Sequence, residues 1–110
     1  MATITEDYCS REIYRLLIEK GFDGEVHTTF DEEGYTQPSI TLQMAMKWLR
    51  EVYDFNIEID TIGRKDKETL RWRSIIYNLN NQCDCYYNEN CDSYEQASEL
   101  AIRYCLKNLI

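Results

Sequence analysis

Apolar residues recur with helical spacing between Thr41 and Asp54, at Leu42, Ala45, Met46, Leu49, Val52 and Tyr53. Gln43, Lys47, Arg50, Glu51 and Asp54 fall on the other side. Pro38 and Ser39 stand just upstream, and a proline disfavours helix in the residue before it, so the helix is expected to begin after them. Its Leu/Met/Trp face should cover a sheet, with Trp48 and Leu49 in the core and Lys47 and Arg50 in solvent. An earlier helix is predicted to begin after Thr3 or Thr5 and to end near Lys20. Its buried stripe is Ile13, Leu16 and Leu17, with Cys9 and Tyr14 beside them, and Gly21 follows as a left-handed C-cap. A last helix follows Ser93, with Gln96 where a capping box wants it. Ala97, Leu100, Ala101, Tyr104, Cys105 and Leu109 line one face of it, and Ile102, Leu106 and Ile110 widen the stripe.

Period-two alternation marks residues 55–62 as a strand, and residues 70–79 read as its return after a polar turn at 63–68. Alternation fixes faces, but register needs another signal. Setting Asp60 against Arg71 and Glu58 against Arg73 puts opposite charges across the ladder, worth a few tenths to ~1 kcal/mol per pair. Phe55, Ile57, Ile59, Trp72 and Ile76 then share the face under the helices. Ile75 and Tyr77 are left on the opposite face, which makes them a candidate contact surface. Upstream, Val26, Thr28 and Phe30 alternate with His27 and Thr29, Asp31-Glu32-Glu33-Gly34 has turn chemistry, and Tyr35-Thr36-Gln37 can return. A small hairpin and an ordered loop both fit. Residues 80–92 have turn residues but no period, so an irregular loop or loose hairpin extension is expected. The order is α-(β)-α-β-β-α: an α+β fold of three helices on a small antiparallel sheet, one domain spanning 1–110.

Charge changes this picture in one place. The chain is acidic, with a formal net charge of −8. Residues 1–34 carry −6, whereas residues 63–79 carry +3 from Arg64, Lys65, Lys67, Arg71 and Arg73 against Asp66 and Glu68. An acidic balance argues against generic binding to a phosphate backbone. The basic turn is the local exception, and Arg64, Lys65 and Lys67 are its candidate nucleic-acid contacts. Conversely, the acidic N-terminal third could imitate a polyanion on a basic partner. No run of eighteen apolar residues is present, and the N-terminus lacks a signal peptide's basic and apolar regions, so a cytoplasmic protein without membrane contact is expected.

Little else in the chain suggests chemistry. The five cysteines are expected to be reduced thiols. Cys83, Cys85 and Cys91 are candidate zinc ligands, with Cys105 or His27 as a fourth, although C-x-C plus a single cysteine is not the paired C-x₂-C of structural zinc sites. His27 is the sole histidine and is read as a surface or strand residue. The carboxylates of Asp31, Glu32 and Glu33 read as a solvated turn, since three in a row point in different directions. No nucleophile elbow, zincin helix or phosphate loop occurs, so neither enzymatic activity nor a cofactor is expected.

Four stretches stand in a suggestive order: I-Y-R-L-L-I-E-K-G-F (13–22), P-S-I-T-L-Q-M-A-M-K-W-L-R-E-V (38–52), the I-E-I strand (57–59) and Y-E-Q-A-S-E-L-A-I-R-Y-C-L-K-N-L-I (94–110). In these the chain resembles the small uncharacterised proteins common in gut bacteria, their phages and their mobile elements. Those typically carry a K-W-L-R-E helix, two strands and a terminal Y-E-E-A helix. The resemblance implies one compact α+β domain in a phage or mobile-element context, and it brings no catalytic residue. The expected function is a non-enzymatic protein-interaction domain with an unknown protein partner, including a possible homodimer. Nucleic-acid binding through the basic turn and a cysteine-loop metal domain are the alternatives.

Overall fold

A computed structural model describes residues 7–64 and 70–110. The chain runs α1 (Arg11–Glu19), β1 (His27–Phe30), β2 (Thr36–Ser39), α2 (Leu42–Tyr53), β3 (Phe55–Arg64), β4 (Leu70–Asn78), β5 (Cys83–Cys91) and α3 (Tyr94–Tyr104). A π-helical turn, Cys105–Leu109, extends α3. The fold is α+β: β1 and β2 form a hairpin, and β3-β4-β5 form an antiparallel sheet. α3 lies across all three strands and touches both other helices. Burial follows: Ile76 of the central strand and Ala97, Ala101, Ile102, Cys105 and Leu106 of the last helical stretch are sealed from solvent.

α2 forms where its stripe predicts, except that Val52, counted in that stripe, is 53% exposed near the helix end. Thr41 caps it, its hydroxyl accepting from Met44 N at 3.1 Å, and Asp54 ends it in the left-handed region at φ 63°. Leu42, Ala45 and Leu49 are fully buried, Trp48 nearly so, while Lys47 and Arg50 are exposed. Trp48 stands edge-on between Phe22 and Tyr53, at 5.6 and 5.2 Å between centroids. Phe22 also requires Gly24, where a Cβ would come 2.6 Å from the ring.

α1 starts later than its sequence suggests. Its cap is Ser10, because residues 7–9 are spent on extended pairing. Cys9 N donates to Ile40 O at 2.8 Å, Leu42 N donates to Asp7 O at 2.9 Å, and Tyr8 bridges Thr41. Gly21 does follow the helix with φ +93°. The helix is tied to the C-terminus through Glu12, which accepts from Arg103 at 2.9 Å and pairs with Lys107 at 3.1 Å. Lys107 and Arg103 hold the Glu12 carboxyl below the usual carboxylate range.

The central ladder is slipped by two residues from the register that the charges suggest. Asp60 pairs with Arg73 and Glu58 with Ile75. A two-residue slip keeps every side chain on its face. Ile57 meets Ile76, where the charge-based register would set it against Ser74, and the Arg73 guanidinium grips both oxygens of Asp60. Residues 83–91, expected to be irregular, form a third strand against β4, with register shifts near both ends. Its inner contact is Tyr86, whose ring lies 4.7 Å from that of Tyr104.

Ser93 begins α3 through a hydrogen bond from Gln96 N at 3.0 Å, and Gln96 Oε1 reaches back to Asp92 N at 2.6 Å. Ser93→Ala should cost about 1 kcal/mol in urea unfolding, the usual worth of such a cap. A loss below the error of the measurement would mean that Gln96 carries the turn alone.

Candidate functional site

The expected site residues scatter through this fold. Ile75 and Tyr77 do share the sheet face away from α3, but Ile75 is only 8% exposed, among Glu58 and Tyr87 across the strands and Arg73 and Tyr77 along its own. Little apolar surface is left there for a partner, apart from Tyr87 at 51% exposure. Burial and the Glu58 and Asp84 carboxylates push the Tyr77 phenol up from its ordinary value. The candidate nucleic-acid contact Arg64 ends β3, whereas Lys65 and Lys67 lie outside the described residues. Arg73 is already committed to Asp60.

Strand formation separates the cysteines. Cys83 and Cys91 mark the two ends of β5, roughly 25 Å apart at the usual strand rise. A loop could have folded Cys83, Cys85 and Cys91 around one ion, but a strand cannot. Among the described residues, no three His, Cys, Asp or Glu side chains converge for a metal. No disulfide joins the cysteines. Cys9, Cys91 and Cys105 are buried, Cys85 is half-buried and Cys83 is exposed.

The β1–β2 hairpin is different in kind. Its base is fixed to the body: Ser39 is buried with its hydroxyl on Cys9 O at 3.5 Å, and Arg11 Nη1 donates to Pro38 O at 3.2 Å. His27 holds the first strand from two sides, with Tyr8 Oη 3.1 Å from Nδ1 and Glu25 Oε1 3.0 Å from Nε2. Tyr8, His27 and Glu25 thus form a chain of hydrogen bonds, here part of an anchor at the protein surface.

At the other end the turn is closed by its own hydrogen bonds. Asp31 Oδ1 accepts from Glu33 N at 3.0 Å and Tyr35 N at 2.9 Å, Asp31 N donates to Tyr35 O at 2.9 Å, and Gly34 takes φ +88°. Such an aspartate-closed turn fixes the backbone on both sides of it. The side chains that it displays are Phe30, 71% exposed, and Tyr35, 69% exposed, the two most exposed large apolar residues described. Phe30 pairs with Thr36 on the hairpin face turned outward, where Thr28 and Pro38 are exposed too. Tyr35 falls on the other face, beyond the half-buried Thr29 and Gln37. Between the rings, Asp31, Glu32 and Glu33 are all exposed.

Sequence reasoning passed over Phe30 and Tyr35 as functional residues. The signal available was their position: each flanks an acidic D-E-E-G turn, where an aromatic ring has few neighbours to cover it. Among the described residues no helix is long and apolar enough to cross a membrane. Comparison of the chain with protein-family models, curated proteins and solved structures gave no match.

Proposed function

We propose that this chain is a small protein-binding domain that works by non-covalent contact and performs no chemistry, with the β1–β2 hairpin as its contact element. One observation carries the reading: Phe30 and Tyr35 are held in solvent by a turn that is itself closed by hydrogen bonds. Leaving a large apolar side chain in water forgoes about 1.5–3 kcal/mol of burial. A turn pre-organised around two such rings loses little further entropy when a partner covers them. The resemblance noted in the sequence supports a phage or mobile-element context for such a domain.

A photo-reactive phenylalanine analogue in place of Phe30 tests the reading. In extract of the source cells it should cross-link to one discrete partner, and Phe30→Ser with Tyr35→Ser should abolish co-purification of that partner. The double variant should unfold within about 0.5 kcal/mol of the wild type, since both side chains are exposed. A partner retained undiminished by the double variant would overturn the hairpin as contact element.

A further inference from the structure

We infer that the partner of the hairpin is a different protein, one that presents cationic side chains interleaved with apolar or aromatic ones. The inference rests on the hairpin being the contact element and adds the chemistry of what it meets. Residues 23–37 contain Asp23, Glu25, Asp31, Glu32 and Glu33 and no lysine or arginine. All five acids are exposed, as are Val26, Phe30 and Tyr35 around them. The arm is therefore apolar and anionic at once. A second copy set arm to arm would bring like charge against like over a few ångströms, well inside the Debye length of about 8–10 Å, so symmetric self-association through this arm is disfavoured. Nucleic acid is disfavoured by the same sign.

Not every carboxylate is equally available. One oxygen of Asp31 is occupied by Glu33 N and Tyr35 N. Glu32 and Glu33 stand next to it with exposed side chains and meet an incoming guanidinium or ammonium without disturbing the turn. Phe30 and Tyr35 occupy opposite faces of the two-stranded arm, so its tip is a wedge with an aromatic ring on each side. A complementary surface places apolar groups against both rings and positive charge at the point of the turn.

The probe is a hexapeptide of alternating arginine and tryptophan, titrated into the full-length ¹⁵N-labelled protein and followed by amide shifts. A hexapeptide of alternating lysine and serine, of equal charge, is the control. Shifts should centre on residues 26–37, and the control should bind roughly tenfold more weakly. Glu32→Gln with Glu33→Gln should weaken the arginine–tryptophan peptide roughly fivefold to tenfold and flatten its salt dependence. Phe30→Ser with Tyr35→Ser should weaken it by a similar factor while leaving the salt slope intact. Shifts centred elsewhere, no binding, or equal affinity for the two peptides would overturn the inference. Cross-linking from position 30 makes no use of charge, so it can still succeed when the peptide fails; the contact element then stands and its proposed chemistry falls.

Discussion

Leu49→Ala is expected to lower the unfolding free energy by about 3 kcal/mol, within the 2–5 kcal/mol range of buried leucine truncations. Leu49 is fully buried on α2, in the same cluster as Ile13 and Leu17 of α1, Ile76 of β4 and Ile102 and Leu106 near the C-terminus. Removing its isopropyl group leaves a void in that cluster, which draws on all three helices and the sheet. Domains of this size have only about 5–15 kcal/mol in hand, so the variant should remain folded but with a visibly lower urea midpoint and an unchanged slope. Val52→Ala on the same helix is the control. Val52 is 53% exposed, and its loss should fall within about 0.5 kcal/mol. Equal losses at the two positions would mean that the buried face of α2 has been misassigned.

That experiment probes the part of the fold most legible in the sequence. α2 could be read because stripe, cap and upstream proline agree, and Leu49 and Trp48 are buried where the pattern puts them. Ser93 caps α3 as expected for similarly local reasons, while Gln96 reaches the N–H of Asp92, one residue before the cap. The register of β3 against β4 was a different kind of question. Alternation fixes only the parity of the pairing, and Arg71 and Arg73 offer Asp60 two partners of identical chemistry two residues apart. Ile57 facing Ile76 in the core is the non-local contact that accompanies Arg73 in the observed register.

β5 was illegible because its residues favour turns when taken alone. Asn88 even bonds the backbone of Asn90, at 2.8 Å, as it would in a loop. The segment is a strand because β4 offers it a ladder and Tyr104 offers Tyr86 a ring to pack on, and both partners are distant in sequence. The start of α1 moved for a comparable reason, since residues 7–9 pair with 40–42. The candidate site failed the sequence reading through the sidedness of a hairpin. Val26, Thr28 and Phe30 alternate with His27 and Thr29, and only the folded body decides that the polar set turns inward while Phe30 is left in water.

Alkaline pH is expected to unfold the protein through its buried thiols. Burial pushes Cys9 up to about 12, with the Glu99 charge adding to it, and pushes Cys105 up to about 12, with Cys85 nearby adding to it. In the unfolded chain both thiols ionise near their ordinary value of 9.0. Below that pH the thiols are protonated in both states, and their contribution to stability is fully present. As pH rises through 9 the unfolded chain releases two protons that the folded chain retains, so stability falls with pH until the folded thiols themselves ionise near 12. At ~1.4 kcal/mol per pKa unit the loss is on the order of 2–4 kcal/mol for each thiol, a large fraction of the total. The urea midpoint should therefore drop steeply between pH 9 and 11. Tyrosines titrate in the same range, and a Cys9→Ala/Cys105→Ala variant separates the two contributions. It should be less stable than the wild type at pH 7, through lost packing, yet should lose less with rising pH. The same burial should leave Cys9, Cys91 and Cys105 inert to an aromatic disulfide reagent at pH 8, with exposed Cys83 reacting first and all five thiols titrating after denaturation. Parallel pH profiles for wild type and double variant would show that the thiols are not the alkaline trigger.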